Sequence, residues 1–180
     1  MNAEIWWLLA VVILLIVASA FFSSAETALT AASDARMRQL ASKGNRRALL
    51  VEKLRADREG LIGTILIGNN TVNVIASALA TSVAISLFQD AGVLWATLTM
   101  TVILVIFAEV MPKTYAFNYS DKYALAISPA IRVVVIILNP LAVGLRFLAS
   151  QLIRENAEQQ ANREEELRGL IELHGADGDA

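Results

Sequence analysis

The sequence predicts an all-α integral membrane protein: three transmembrane helices plus a kinked amphipathic juxtamembrane helix, assembled as a dimer. Three observations lead there. Of 180 residues, 56% are hydrophobic and only 18% charged, outside ordinary soluble composition. Long gaps between charges mark three spans, at about 5–25, 61–88 and 92–111. Lysine and arginine keep to the edges of these gaps: none precedes Arg36, eight lie from Arg36 to Arg58, and Lys113 and Lys122 follow the third span. By the positive-inside rule the N-terminus is outside and both basic regions and the C-terminus are cytoplasmic.

The first span resembles the apolar core of a secretory signal, but "MNAE" supplies no positive n-region. Its 21 uncharged residues, at ~1.5 Å each, give ~32 Å, enough to cross. The connector Asp34 to Glu59 scatters Met37, Leu40, Leu49, Leu50 and Leu54 among charges, which predicts short amphipathic helices on the inner surface with basic residues toward lipid headgroups. In the second span thirty positions between Glu59 and Asp90 carry no charge, and "QDAG" (89–92) makes the turn into the third.

The segment 123–153 reads differently. Only thirteen residues separate Arg132 from Arg146, or ~20 Å of helix, with Pro140 among them. A kinked helix in the inner interface or wrapping the bundle fits, with Arg132, Arg146 and Arg154 snorkelling to headgroups; a tilted fourth span is the alternative. Residues 1–153 thus form the membrane domain and 154–180 an acidic cytoplasmic linker stub. Absence of cysteine excludes disulfides and thiolate metal sites, and a lone His174 cannot build a zinc centre. Basic residues gathered at membrane edges argue topology and not nucleic acid.

Polar residues inside the spans cost free energy unless something uses them. On the first span Ser19, Ser23, Glu26 or Thr27, and Thr30 recur at helical spacing; on the second Asn69, Asn73 and Ser77 are successive i, i+4 positions; on the third Glu109 stands just before Pro112. Pro112 removes an N–H and disturbs the backbone beside Glu109. Hydroxyls, carboxamides, carbonyls and one carboxylate form an all-oxygen set, suited to hard cations such as Mg²⁺, Ca²⁺ or Na⁺. The bland alternatives are a Glu109 to Lys113 pair at i+4 and asparagines that only bond helices together. Ala76, Ala80 and Ala84 form a small-residue row that permits close helix approach, between two chains or within one.

"FFSSAETAL" in the first span, "LIGNNTVNV" in the second and "FAEVMPKTYA" closing the third resemble the membrane domain of the CorC/cyclin M (CNNM) family, associated with magnesium and cobalt resistance. The resemblance covers about 5–170. It implies a dimeric domain of three spans and a juxtamembrane helix, Mg²⁺ held between the spans, exchange for Na⁺, and a cytoplasmic CBS module that binds nucleotide and is absent from this sequence. Residue by residue, it places the metal ligands at Ser23, Asn69, Asn73 and Glu109, with Gly68 and Pro112 in the shared motifs. Ser24, Glu26, Gly68, Asn70, Ser77, Pro112 and Lys113 are expected either as further metal ligands or as groups bordering them. Ala108 stands where glycine commonly precedes the glutamate, and Asn70 adds a third carboxamide.

The leading expectation is therefore a secondary transporter exporting Mg²⁺, located in a bacterial inner membrane. The competing one is a membrane-anchored dimeric sensor or regulatory subunit without transport. No His/Asp or Ser/Lys dyad is placed at membrane depth, so no enzyme is expected.

Overall fold

The computed structural model describes residues 3–141 and 143–144. The expected linker 154–180, residues 145–153 of the juxtamembrane segment with Arg146 among them, Arg154 and His174 lie outside the described residues. All regular structure among those described is helical.

The chain runs α1 (Ala3–Ala31), α2 (Asp34–Ser42), α3 (Arg46–Ala56) and α4 (Arg58–Phe88), then a 3₁₀ turn (Gln89–Ala91) and α5 (Gly92–Ile103). A π-helical segment (Leu104–Val110) leads into α6 (Met111–Asn118), and α7 follows at Ser120–Leu141. Three helical runs are long and apolar enough to cross a membrane: Ala3–Ala31, Arg58–Asn118 and Ser120–Leu141. The second run holds two of the expected spans, because it folds back on itself at Gln89. That residue takes φ +52°, and a Cβ at Gly92 would sit 2.5 Å from the Ala84 carbonyl oxygen, so only glycine lets α5 start this close to α4.

Each span is longer than its charge gap suggested: α1 runs on past Glu26 to Ala31, α4 begins at Arg58, and the third continues past Lys113 to Asn118. By length and composition α7 also reaches crossing size at 22 residues. Pro140 lies in its last turn, and the helix runs on to Leu141. The interfacial placement expected for 123–153 concerns depth, which neighbours and anchors set more than length does.

The apolar residues are mostly on the outside. Ile13, Leu14 and Val17 on α1, Val74 on α4, and Leu98, Val102 and Phe107 beyond are all exposed, a surface that suits lipid as solvent. Aromatic rings bracket it. Trp6, Trp7 and Trp95 are exposed at one end, Tyr115 and Tyr119 at the other. Trp95 and Tyr115 are twenty residues apart along one helical run, or ~30 Å, the thickness of a hydrocarbon core.

Two apolar clusters hold the spans together. The smaller joins Val12, Ala76 and Met100 from α1, α4 and α5. The larger gathers Phe22, Ala25, Leu29, Leu61, Ile65 and Ala116 with Met37 and Val51 of the connector and Ile131 of α7. Ala76 is fully buried and Ala80 packs beside it, so part of the small-residue row serves contacts within the chain.

The connector is two short helices, as expected, capped by Ser33 and Asn45. Arg55 locks it down: Nη1 donates to the Ala32 carbonyl at 2.8 Å and Nη2 lies 3.0 Å from Asp34 Oδ1. A buried guanidinium thus satisfies a carbonyl that α1 leaves open at its end. Asp121 of α7 accepts from the Ser33 N–H at 2.8 Å and pairs with Arg36 at 3.5 Å.

Candidate metal site

The register of α1 against α4 fixes everything else. Ser19 Oγ donates to Asn69 Oδ1 at 2.9 Å. One turn further along α1, Phe22 lies against Gly68, where a Cβ would meet its ring at 2.7 Å. Glycine at 68 is what allows that approach. Ser19 is twelve residues, ~18 Å, past Trp7, which puts the Ser19–Asn69 contact near the middle of the membrane.

On either side of this contact stands a buried oxygen with nothing to bond. Ser23 Oγ and Asn73 Oδ1 have no partner among the described residues, and Ser23 is wholly buried. The default for a helical hydroxyl is to bond its own backbone a turn earlier. Thr27 does so to Ser23 O at 3.2 Å, and Thr64 to Gly60 O at 2.7 Å. Ser23 does not, which leaves its oxygen free inside the bundle.

The two residues stand at different levels of the bundle. Because α1 and α4 run antiparallel through the Ser19–Asn69 contact, Ser23 lies one turn to one side and Asn73 one turn to the other, about 12 Å apart in level. The convergence expected of Ser23, Asn69 and Asn73 on one point is replaced by a ladder: Ser23, then Ser19 with Asn69, then Asn73.

Glu109 falls in the π-helical segment, which the sequence did not announce beyond the disturbance expected at Pro112. The Met111 N–H bonds Ile106 O, five residues back, and the next residue is Pro112, which has no N–H to continue the pattern. Glu109 is half-buried, with no hydrogen bond or ion pair among the described residues. Lys113, its i+4 neighbour, instead approaches Glu26 Oε2 at 3.6 Å. The bland Glu109 to Lys113 pair is therefore not formed. With Met100 beside Val12 and Lys113 beside Glu26, Glu109 comes level with α1 between Ser19 and Ser23.

The bordering residues divide. Ser24 Oγ donates to Phe21 O at 3.0 Å and meets the Tyr123 hydroxyl at 2.9 Å, so it ties α1 to α7. Glu26 is held by Lys113, and Thr30 bonds Glu26 O at 2.8 Å. Asn70 is exposed on the outer face of α4. Ser77 lines a 160 Å³ cavity between α4 and α5, with Thr81, Thr97 and Thr101. Among the described residues no three His, Cys, Asp or Glu side chains gather, so any ion held here meets mostly neutral oxygens. The π-helical segment and the Ser19 contact were missed from sequence; Ser19 was visible only as a member of the polar face of α1.

The family model for the cyclin M transmembrane N-terminal domain, CNNM, matches residues 10–180. The chain belongs to the CNNM family. Among similar proteins, the UPF0053 inner membrane protein YfjD of Escherichia coli (strain K12) is 42% identical over 130 residues, covering 72% of this chain and 30% of that protein. A UPF0053 protein of Haemophilus influenzae is 34% identical over 156 residues, 84% of this chain and 37% of that protein. A chloroplastic DUF21 domain-containing protein of Arabidopsis thaliana is 31% identical over 159 residues, 84% of this chain and 24% of its own length. This CNNM chain, a multi-pass membrane protein, thus spans between 24% and 37% of the length of these relatives.

Proposed function

We propose that this chain is the membrane part of a secondary transporter that exports Mg²⁺ from the cytoplasm in exchange for Na⁺, with Ser23, Asn69, Asn73 and Glu109 supplying the oxygens. One observation carries the reading: Ser23 Oγ and Asn73 Oδ1 are buried without partners on two packed spans. Such a group costs roughly 1–3 kcal/mol, and a partly dehydrated cation offsets that cost. Two oxygens on one Mg²⁺ lie within about 4 Å of each other, since each bond is ~2.1 Å. Ser23 and Asn73 are therefore used in succession, with Glu109 and Asn69 between them, as the spans rock about the site. One carboxylate among neutral oxygens binds weakly enough to release its ion.

The face that carries Arg36 to Arg58, Lys113 and Lys122 is the cytoplasmic one, with the N-terminus outside, in a cell membrane. The exposed apolar faces of the spans pair two copies as a homodimer. Nucleotide control belongs to a CBS module beyond these residues, and the chain itself catalyses no reaction.

Purified protein in liposomes holding a Mg²⁺-sensitive dye tests this. Flux above empty vesicles, lost in Glu109→Gln and Asn73→Ala variants of unchanged helix content, is the expected result. Unchanged flux in both overturns the site. The alternative reading is a membrane-anchored dimeric sensor or regulatory subunit without transport activity. It predicts no flux, and no heat when Mg²⁺ is titrated to millimolar levels, whereas transport predicts heat that Na⁺ competes away.

A further inference from the structure

Beyond the spans, α3 and α7 enclose a 550 Å³ cavity whose charged lining is of one sign. Arg46, Arg47 and Lys53 come from α3 and Arg132 from α7, and no carboxylate lines it. None of the four enters an ion pair among the described residues. The remaining lining is apolar, leucines of α3 with Pro129. A neighbouring 240 Å³ cavity shows the contrast: Arg38, Arg55 and Arg58 surround it, but Asp34 and Glu52 line it too, and Arg55 and Arg58 are already paired with Asp34. The connector's arginines are thus of two kinds, one set neutralised inside the fold and one set left open.

We infer that the cavity between α3 and α7 is a binding site for the phosphate headgroup of an acidic phospholipid. Four unpaired cations at one concave site call for an anion, and a lining without carboxylates excludes a metal ion. The leucines and Pro129 give that anion an apolar continuation, which a glycerol backbone and acyl chains have and a free phosphate lacks. The position agrees: α3 joins the end of α1 to the start of α4, at the membrane edge marked by Tyr115 and Tyr119. The lipid would clamp the connector to α7, two elements whose facing cations otherwise repel. This goes beyond a general attraction of basic residues to the bilayer, because it needs Arg132, eighty residues from the α3 cluster, in the same site.

The test is native mass spectrometry of the full chain in detergent, with phosphatidylglycerol and phosphatidylcholine added in equal amounts. Phosphatidylglycerol should be retained preferentially. Arg47→Gln with Arg132→Gln should reduce that preference by about fivefold for each cation removed. A control pair of equal charge, Arg38→Gln with Lys43→Gln, should leave it intact. Should the double variant fold poorly by circular dichroism, Lys53→Gln, at an exposed position, should still reduce it about fivefold. Equal retention of both lipids, equal loss in both pairs, or full displacement of the lipid by millimolar pyrophosphate would overturn the inference, the last by assigning the site to a soluble anion.

Discussion

The middle rung of the polar ladder and the rungs on either side are built from the same residue types, serine on α1 and asparagine on α4, yet they are in opposite states. At the middle, Ser19 and Asn69 satisfy each other at 2.9 Å. One turn away in each direction, Ser23 and Asn73 each leave a buried oxygen unpaired. The difference teaches how structural and functional polar groups separate in a membrane. A hydroxyl and a carboxamide that meet across two helices hold them together, worth only about 0.6 kcal/mol on average, and leave the carboxamide oxygen a second lone pair. The same groups out of register with each other have no such role, and on the proposed transport reading an ion would complete them.

Substitutions sharpen this contrast in a definite order. Glu109→Gln should have the largest effect, lowering Mg²⁺ flux by about 30- to 150-fold, because a charged ligand contributes roughly 2–3 kcal/mol. Ser23→Ala and Asn73→Ala should each lower flux about tenfold, the loss of one neutral ligand. Their diagnostic is stability: melting temperature in detergent should hold or rise, since each removes an unsatisfied buried atom. A clear fall in melting temperature would break the comparison, by showing that these oxygens are bonded after all.

Gly68→Ala should destabilise by about 1–3 kcal/mol, as the added methyl meets the Phe22 ring at 2.7 Å and must push α1 from α4. Ser19→Ala should be the mildest, costing ~0.6 kcal/mol and changing flux less than about twofold. If instead Ser19→Ala abolishes flux with stability intact, Ser19 is itself an ion ligand.

Much of the architecture was legible in the sequence. Charge gaps found the spans, "QDAG" the reversal, and scattered leucines the helices of the connector, because each signal is local and bilayer thickness is a fixed ruler. Asn69, Asn73 and Glu109 stood out because polar groups in an oily run are costly wherever they point. What stayed hidden was register. Whether Asn69 meets Ser19 or Ser23 depends on how α1 slides along α4, which Phe22 and Gly68 decide by packing and which no spacing within one helix reveals. The partner of Lys113 was hidden for the same reason: i+4 spacing offered Glu109, while the bundle supplied Glu26 from another helix. The π-helical segment had only Pro112 as an outward sign, and proline marks disturbance without specifying its form.

The depth of the Ser19–Asn69 contact has an electrical consequence. Tryptophans on one side and tyrosines on the other place it near the midplane, so a divalent ion reaching that level has traversed about half of the transmembrane voltage. At roughly 2.3 kcal/mol per charge per 100 mV, that is about 2.3 kcal/mol for two charges over half the drop. For a divalent ion bound at this level, membrane potential alone would shift occupancy by about fiftyfold per 100 mV, and under the proposed exchange counter-moving sodium ions would decide how much of that sensitivity the complete cycle retains.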